Sequence, residues 1–380
     1  MRRSLASRRL QPRMIEGRLI VCLASRWDID PTSKHHLMRI LSDRNDVVWV
    51  NYHASRRPGL NRGDLRSAVG VLRRVLRGTD PIDDRMVQLT PLVFPGAATP
   101  FRDAVNRLLL VQQLRRTIRQ RRRSPEQPVQ LWTFAPDVAF LAGALDEECL
   151  VYYCVDEFSQ FAGFDRDALL AAENDLIAKA DVVFTTSEAL HVARCDRHPR
   201  VHLMRHGVDH AHFARALCGE LPTPAPLADI PKPIAGFMGL VQHWFDVELL
   251  AEAARRAPDV SFVIVGESRV DTTALRACPN VHLIDRRPYA ELPAYCQAFD
   301  VGMIPFVRSP MTENVNPIKL REYLAAGLPV VSTNLPEVRR YEPDAICTDD
   351  PAEFAAACRS AVERNDPAQR AARSRRVAGE

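Results

Sequence analysis

The run from Glu313 to Val338, ENVNPIKLREYLAAGLPVVSTNLPEV, constrains this chain more than any other stretch. It reads as a loop, a helix, a glycine turn, a buried strand and a second loop. Pro317 suits a first helical turn, where its missing N–H costs nothing and its fixed φ helps. Ile318, Leu320, Tyr323 and Leu324 supply apolar positions near helical spacing, and Gly327 is placed to end the helix in a left-handed conformation. Leu328 to Val331 is short, apolar and β-branched, as expected for a strand in a parallel sheet covered on both faces. The N-terminal N–H groups and positive dipole end of such a helix favour an anion, above all a phosphate. Lys319 adds a full positive charge in the first turn. Glu322, three residues on, lies on the same face and can accept hydrogen bonds from ribose or sugar hydroxyls. An ordinary surface helix with a Lys/Glu pair has the same pattern, so the rest of the chain must decide.

The rest of the chain alternates strand and helix signals. Arg18 to Ala24 is a buried-type strand, followed by the polar loop SRWDIDPTSKHH, a helical stretch from Lys34 to Leu41, and a strand from Val47 to Asn51. That order begins a doubly wound α/β domain, whose ligands sit at the carboxyl ends of strands. Asp28, Lys34 and His35 in the first loop, with Ser33, are therefore candidates, although no GxGxxG fingerprint accompanies them. Further strand signals fall at Val87–Leu89, Gln130–Phe134, Leu150–Val155, Val182–Thr185 and Val201–Met204. Asp156 and Glu157 directly follow the third of these, and Ser187 is placed to cap a helix after the fourth. Residues 56–86 read as a polar, arginine-rich insertion. The stretch 219–233, GELPTPAPLADIPKP, reads as a stiff, extended linker. Beyond it the alternation restarts, with strands at Ile234–Met238, Ser261–Val265, Val281–Ile284 and Val301–Pro305.

These signals divide the 380 residues into a disordered basic leader (1–17), an N-terminal Rossmann-like domain (18–218), the linker (219–233) and a C-terminal Rossmann-like domain (234–380). The fold class is α/β, with two doubly wound domains facing a cleft. Met14 is an alternative start. No apolar run approaches the ~18 residues that span a bilayer, and the basic N-terminus lacks the apolar core of a secretory signal. Nine scattered cysteines without a CxxC pair favour reduced thiols and a cytoplasmic setting. His198, His202, His206, His210 and His212 invite a metal reading, but Pro199 and Gly207 break any helix that would align them, so no metal is expected. The net charge of +4 does not point to nucleic acid, and no recognition motif does either. Arg107 to Arg123 holds seven arginines and no acid, with Leu110, Leu114 and Ile118 at helical spacing. Such a helix can lie on the inner face of an anionic membrane, or can simply pack with a solvated arginine face.

Taken together, GFMG at 236–239, VIVG at 263–266, the run RRPYAELPAYCQAFDVGMIPF and KLREYLAAGLPVVST resemble the nucleotide-sugar-binding domain of retaining GT-B glycosyltransferases, glycosyl transferases group 1. FTTSEAL at 184–190 and RHGVDHAHF at 205–213 fit the same pattern in the first half. The resemblance implies a metal-independent hexosyltransferase, working in polysaccharide biosynthesis or a similar pathway. Its co-substrate would be a nucleotide-diphosphate sugar, with no cofactor, and its acceptor a glycan, a lipid-linked glycan or a small natural product. It implies that Glu322 binds the nucleotide ribose and Lys319 contacts phosphate. It also implies that Gly239 lets the diphosphate approach the backbone, with His243 standing in for a missing basic residue, and that Arg287 and Tyr289 line the base. The transferred sugar falls to Asn314, which stands where the family has its first glutamate, or to the adjacent Glu313; Asn316 belongs to the same donor loop. Asp156 stands where many relatives carry a histidine near the reacting centre, and His206 replaces a common asparagine; with Asp28, Lys34, His35 and Glu157 they are the acceptor-side candidates. Two rival readings remain open: a nucleotide-sugar-binding protein without transfer activity, and a related nucleotide-sugar epimerase. Relatives commonly continue past a C-terminus like this one with a helix crossing back to the first domain, so a shortened chain is also expected.

Overall fold

A computed structural model describes residues 14–52, 78–161, 163–363 and 366–380. The chain divides into two compact units. One comprises Met1–Trp27, Leu37–Tyr152 and Ala168–Asp181, and the other Asp28–His36, Tyr153–Asp167 and Val182–Glu380.

Among the described residues, eight strands form the first sheet: β1 (Leu19–Ala24), β2 (Asp46–Asn51), β3 (Thr79–Pro81), β4 (Met86–Leu89), β5 (Val129–Thr133), β6 (Cys149–Cys154), β7 (Val182–Thr185) and β8 (Val201–Leu203). Their order is β3-β4-β2-β1-β5-β6-β7-β8, and β3 runs antiparallel to β4. β1 pairs in parallel with both β2 and β5, and all six of its residues are buried. That explains its unbroken apolar sequence, because a strand covered on both faces has no solvent side to alternate with.

The second sheet contains β9 (Ile234–Met238), β10 (Ser261–Val265), β11 (Val281–Ile284), β12 (Val301–Ile304), β13 (Val330–Ser332) and β14 (Ala345–Cys347). Its order, β11-β10-β9-β12-β13-β14, is the Rossmann order, with every pair parallel. The order reverses between β9 and β12. Ligands bind outside the carboxyl ends of the strands at such a switch point.

The helix expected after Pro317 spans Ile318–Ala325, with Leu320, Tyr323 and Leu324 fully buried. The Met238 backbone N–H donates to the Tyr323 hydroxyl oxygen at 2.8 Å, fixing the helix against the end of β9. Gly327 ends the helix at φ +78°. The Ser374 hydroxyl and the Arg373 guanidinium, from the helix Pro367–Arg376, donate to the carbonyls of Ala325 and Gly327 at 2.7 and 3.2 Å. They satisfy carbonyls that a helix end leaves unpaired.

Several expectations change in detail. The strand expected from Leu328 begins at Val330, because Pro329 has no N–H to give the ladder, although its carbonyl still accepts from Gly302. Of the stretch 56–86 read as an insertion, residues 56–77 lie outside the described residues, and the remainder includes β3. The proline-rich stretch 219–233 carries its own anchors: Leu227 is 3% exposed within the second unit's core, and the Gln297 amide bonds both backbone groups of Leu221. The basic helix begins earlier than its arginines suggest. It spans Pro100–Arg121, with Thr99 accepting from the Arg102 nitrogen and Pro100 in the first turn. No helix among the described residues is long and apolar enough to cross a membrane.

Candidate functional site

The carboxyl end of β9 runs directly into Gly239, whose φ of +153° is open to glycine and strained for other residues. A Cβ there would lie 3.1 Å from Phe237 Cζ and 3.5 Å from Lys319 Cε, so the bare backbone and the lysine stem face each other. Gly266, after β10, is also required: a Cβ on it would lie 1.8 Å from the Gly239 carbonyl oxygen. Two glycines thus let the turn pass close beneath whatever occupies the space above it.

That space is a cavity of about 350 Å³ within the second unit. Phe237, Trp244 and Phe306 supply apolar wall, and Gly239, Asn316 and Lys319 lie along one part of it. Lys34, Asp156 and His206 also line it. Six residues singled out from the sequence therefore meet in one cavity at the switch point of the second sheet.

Pro317, Ile318 and Lys319 bring the start of the helix to this cavity, and no side chain caps the helix there. Its first N–H groups are thus available to an anion. Lys319 Nζ lies 2.8 Å from Glu322 Oε2; the lysine side chain is 22% exposed and the glutamate 3%. Glu322 does not line the cavity and stands one side chain behind it.

Burial pushes the Asp156 carboxyl up to about 6, although the charge of Lys34 opposes the rise. His206 moves the other way. Burial pushes its imidazole down to about 3, with the charges of Arg321 and Lys34 adding to the effect, so it stays neutral near neutral pH. Its Nδ1 is buried without a hydrogen-bond partner. A neutral ring with a bare nitrogen, in one cavity with a carboxyl poised near 6, suits hydroxyl recognition and proton transfer.

Asn316 joins the two polar groups of the cavity. Its amide donates to the Thr186 carbonyl at 2.7 Å, and its Oδ1 accepts from Arg321 Nη1 at 2.7 Å. The Thr186 hydroxyl donates to the Val155 carbonyl at 2.9 Å, immediately before Asp156. The Ser187 hydroxyl donates to the Asn314 carbonyl at 2.6 Å while its oxygen caps the helix Glu188–Val192, as its position after β7 suggested. Arg321 carried no sequence signal, because a charged residue on a helix is ordinarily read as solvated. Ser33, named with the first-loop candidates, also lines the cavity, as does its neighbour Thr32, which the sequence did not single out.

The other candidates lie outside the cavity lining. Asp28 is exposed, two residues before Asp30, which pairs with Arg286 at 2.6 Å. His35 is 2% exposed, and its Nδ1 accepts from the Thr32 backbone nitrogen at 3.1 Å. Glu157 pairs with Arg194 at 3.0 Å and accepts from the Ser159 hydroxyl; burial would raise its carboxyl, but these partners hold it below the usual range. His243 is exposed, with its ring edge-on to Trp244. Tyr289 is stacked on His212 at 4.4 Å and accepts at its carbonyl from His212 Nε2, while Arg287 keeps a buried Nε without a partner. Glu313 pairs with Arg308 at 2.8 Å, and the Asn314 amide donates to the Pro310 carbonyl at 2.6 Å. The histidine-rich run disperses: His206 lines the cavity, His210 meets Ser374 and His212 stacks on Tyr289.

Residues 232–364 match the sequence model of the family described as Glycosyl transferases group 1. TuaH of Bacillus subtilis (strain 168), named as a glycosyltransferase of teichuronic acid biosynthesis, is 29% identical over 256 residues. That match covers 62% of this chain and 64% of the relative's own length, short of two thirds of it. Among solved structures, HepE of Anabaena in complex with UDP superposes with a TM-score of 0.62 at 14% identity, covering 95% of each chain. Sucrose-phosphate synthase from Thermosynechococcus elongatus gives a TM-score of 0.65 at 15% identity, covering 95% of this chain and 94% of the other. The chain thus resembles the group 1 glycosyltransferases and has their two Rossmann-like parallel-sheet domains, the GT-B fold.

Proposed function

We propose that this chain is a retaining glycosyltransferase that moves a sugar from a nucleotide-diphosphate sugar to a glycan, lipid-linked or small-molecule acceptor. One observation carries the reading: the uncapped start of Ile318–Ala325, Lys319 and the bare turn at Gly239 face the same cavity as Asp156 and His206. The diphosphate lies over Gly239, against the first N–H groups of the helix and Lys319. Glu322 lies behind Lys319, within reach of the ribose once the lysine turns to phosphate. Asn314 or Glu313, on the preceding loop, holds the transferred sugar, while Lys34, Asp156 and His206 hold the acceptor hydroxyl.

As the bond from the anomeric carbon to phosphate breaks, negative charge grows on the leaving diphosphate. Pre-aligned N–H groups and Lys319 stabilise that charge, and the scheme requires no metal ion. The acceptor oxygen bonds to the anomeric carbon from the face the phosphate leaves, and its proton passes to the departing phosphate oxygen. Configuration is then retained without an enzymic nucleophile. Asp156 and His206 orient the hydroxyl, and holding both substrates in one geometry supplies much of the acceleration.

The test is a thermal-shift panel of UDP-, GDP-, ADP- and dTDP-sugars on the wild type and Lys319→Ala. UDP-glucose is the first probe, because HepE has been solved with it. One nucleotide should stabilise the wild type and not the variant, and product NMR should show the donor's anomeric configuration. If no nucleotide stabilises the wild type, or the product is inverted, the reading fails.

A further inference from the structure

In the first unit, the segment that follows β4 runs along the helix Pro100–Arg121 and is clipped to it by two amides seven residues apart. The Asn106 oxygen accepts from the Phe94 nitrogen at 2.6 Å, and its amide donates to the Phe94 carbonyl at 2.9 Å. Gln113 does the same for Leu92, at 2.9 and 3.0 Å. With both backbone groups of each residue satisfied, the strip is set in place while its side chains face outward: Leu92 is 47% and Phe94 46% exposed. On the helix itself, Phe101 is 69% and Leu108 64% exposed, and Phe101 meets Phe94 edge-on at 6.1 Å.

Burial cannot account for these four large apolar side chains. The helix already has a buried face, built on Arg102, Asn106, Leu110, Leu114, Thr117 and Ile118. Phe101 and Leu108 stand seven residues apart on the opposite side, and the next step along that stripe is Arg115. Exposed Arg116 and Arg119 follow, and no acid occurs from Ala104 to Arg123. Of the acids nearby, Asp103 bonds Arg102 and Asp146 lies 3.8 Å from Arg115. One helix thus shows an apolar half and a cationic half on the same outward side. Clustered exposed apolar side chains mark a contact surface, and cationic neighbours select an anionic one.

We infer that this ridge docks on an anionic lipid bilayer. Leu92, Phe94, Phe101 and Leu108 enter the headgroup–acyl boundary, and Arg116 and Arg119 meet lipid phosphates. The favoured occupant is a bilayer because Phe101 and Leu108 on the helix, with Leu92 and Phe94 on the clipped strip, expose apolar side chains on the side that also presents Arg116 and Arg119. Apolar side chains suit the headgroup–acyl boundary, and neighbouring arginines suit the anionic headgroups above it. The inference is independent of the proposed transfer chemistry.

The test is co-sedimentation of the full chain with vesicles of phosphatidylcholine alone or mixed with phosphatidylglycerol. Three proteins are compared: wild type, Phe101→Ser/Leu108→Ser and Arg116→Glu/Arg119→Glu. All four positions are exposed, so circular dichroism should show both variants folded. The wild type should bind the mixed vesicles in a salt-sensitive way and leave the neutral ones free. Each double variant should partition about tenfold or more weakly. No binding to mixed vesicles, or equal binding by all three proteins, overturns the inference. So does a wild-type dimer that Phe101→Ser/Leu108→Ser converts to monomer, since the ridge would then be a protein contact.

Discussion

Lys319 and Glu322 form an ion pair at 2.8 Å in which the glutamate is almost wholly enclosed and the lysine reaches the cavity. The pair is therefore a structural element as well as part of the proposed donor site. Removing Lys319 strands a buried carboxylate, which costs up to about 3–5 kcal/mol in fully buried pairs. With the lysine side partly open to solvent, we expect about 2 kcal/mol for Lys319→Ala, a fall of several degrees in melting temperature. Lys319→Met/Glu322→Gln should recover most of that stability without regaining nucleotide binding. Calorimetry with and without the nucleotide separates the two effects, and an unchanged melting temperature in Lys319→Ala would dispose of the structural role.

Asp156 gives stability a defined pH dependence. Its folded value of about 6 lies above the ordinary 3.8, so between those values the folded chain holds a proton that the unfolded chain has released. Stability from this group falls as pH rises through that window, and the deficit remains above it. Asp156→Asn should be more stable than wild type at pH 7, by up to about 2 kcal/mol, with the advantage fading towards pH 4. Urea unfolding at several pH values measures this. A constant difference across the range would mean that the carboxyl is not raised.

His206 has the opposite sign. Its folded value of about 3 lies below the ordinary 6.5, so between them the unfolded chain binds the extra proton. Stability from this group is full above about 6.5 and is lost as pH falls towards 3. His206→Asn should lose stability more slowly than wild type below pH 6. The imidazole carbon resonances of His206 should hold still in an NMR titration from pH 8 to 5. A midpoint near 6.5 would show a solvated ring and remove it from the proposed acceptor site.

Much of the frame could be read from the sequence, because buried parallel strands are short apolar runs. Ser261–Val265 and Ile234–Met238 occur with the expected bounds, and the Ile318–Ala325 helix follows its Pro and precedes its Gly. The site was legible wherever a residue follows a strand directly, as Asp156 and Gly239 do. It was less legible where long-range packing decides. Nothing local marks Arg321 as fully buried, or shows that Tyr289 will stack on His212. Thr99-Pro100 did carry a local start signal for the basic helix, but the arginines drew attention to a later segment.

Arg321 and Asn316 lead to the last prediction. The guanidinium is 0% exposed, donates from Nε to the Glu380 carboxylate at 2.7 Å and lies 5.2 Å from the centre of the Tyr341 ring. Its Nη1 depends on Asn316 Oδ1, whose amide in turn holds the Thr186 turn beside Asp156. Asn316→Ala removes an acceptor from a buried cation and a donor from a buried carbonyl, so it should cost about 3 kcal/mol. Asn316→Asp keeps the acceptor for Arg321 but sets a carboxylate oxygen where the donor to the buried Thr186 carbonyl stood. It should therefore cost about 1–2 kcal/mol, less than the alanine variant. The Asp156 side of the cavity would lose one of its ties to the proposed donor loop, so turnover should fall about tenfold or more with a smaller change in donor KM. Steady-state kinetics and denaturant unfolding of the two variants provide the check. Wild-type turnover in Asn316→Asp would show that the Asn316–Thr186 bond does not set the spacing between the two sides.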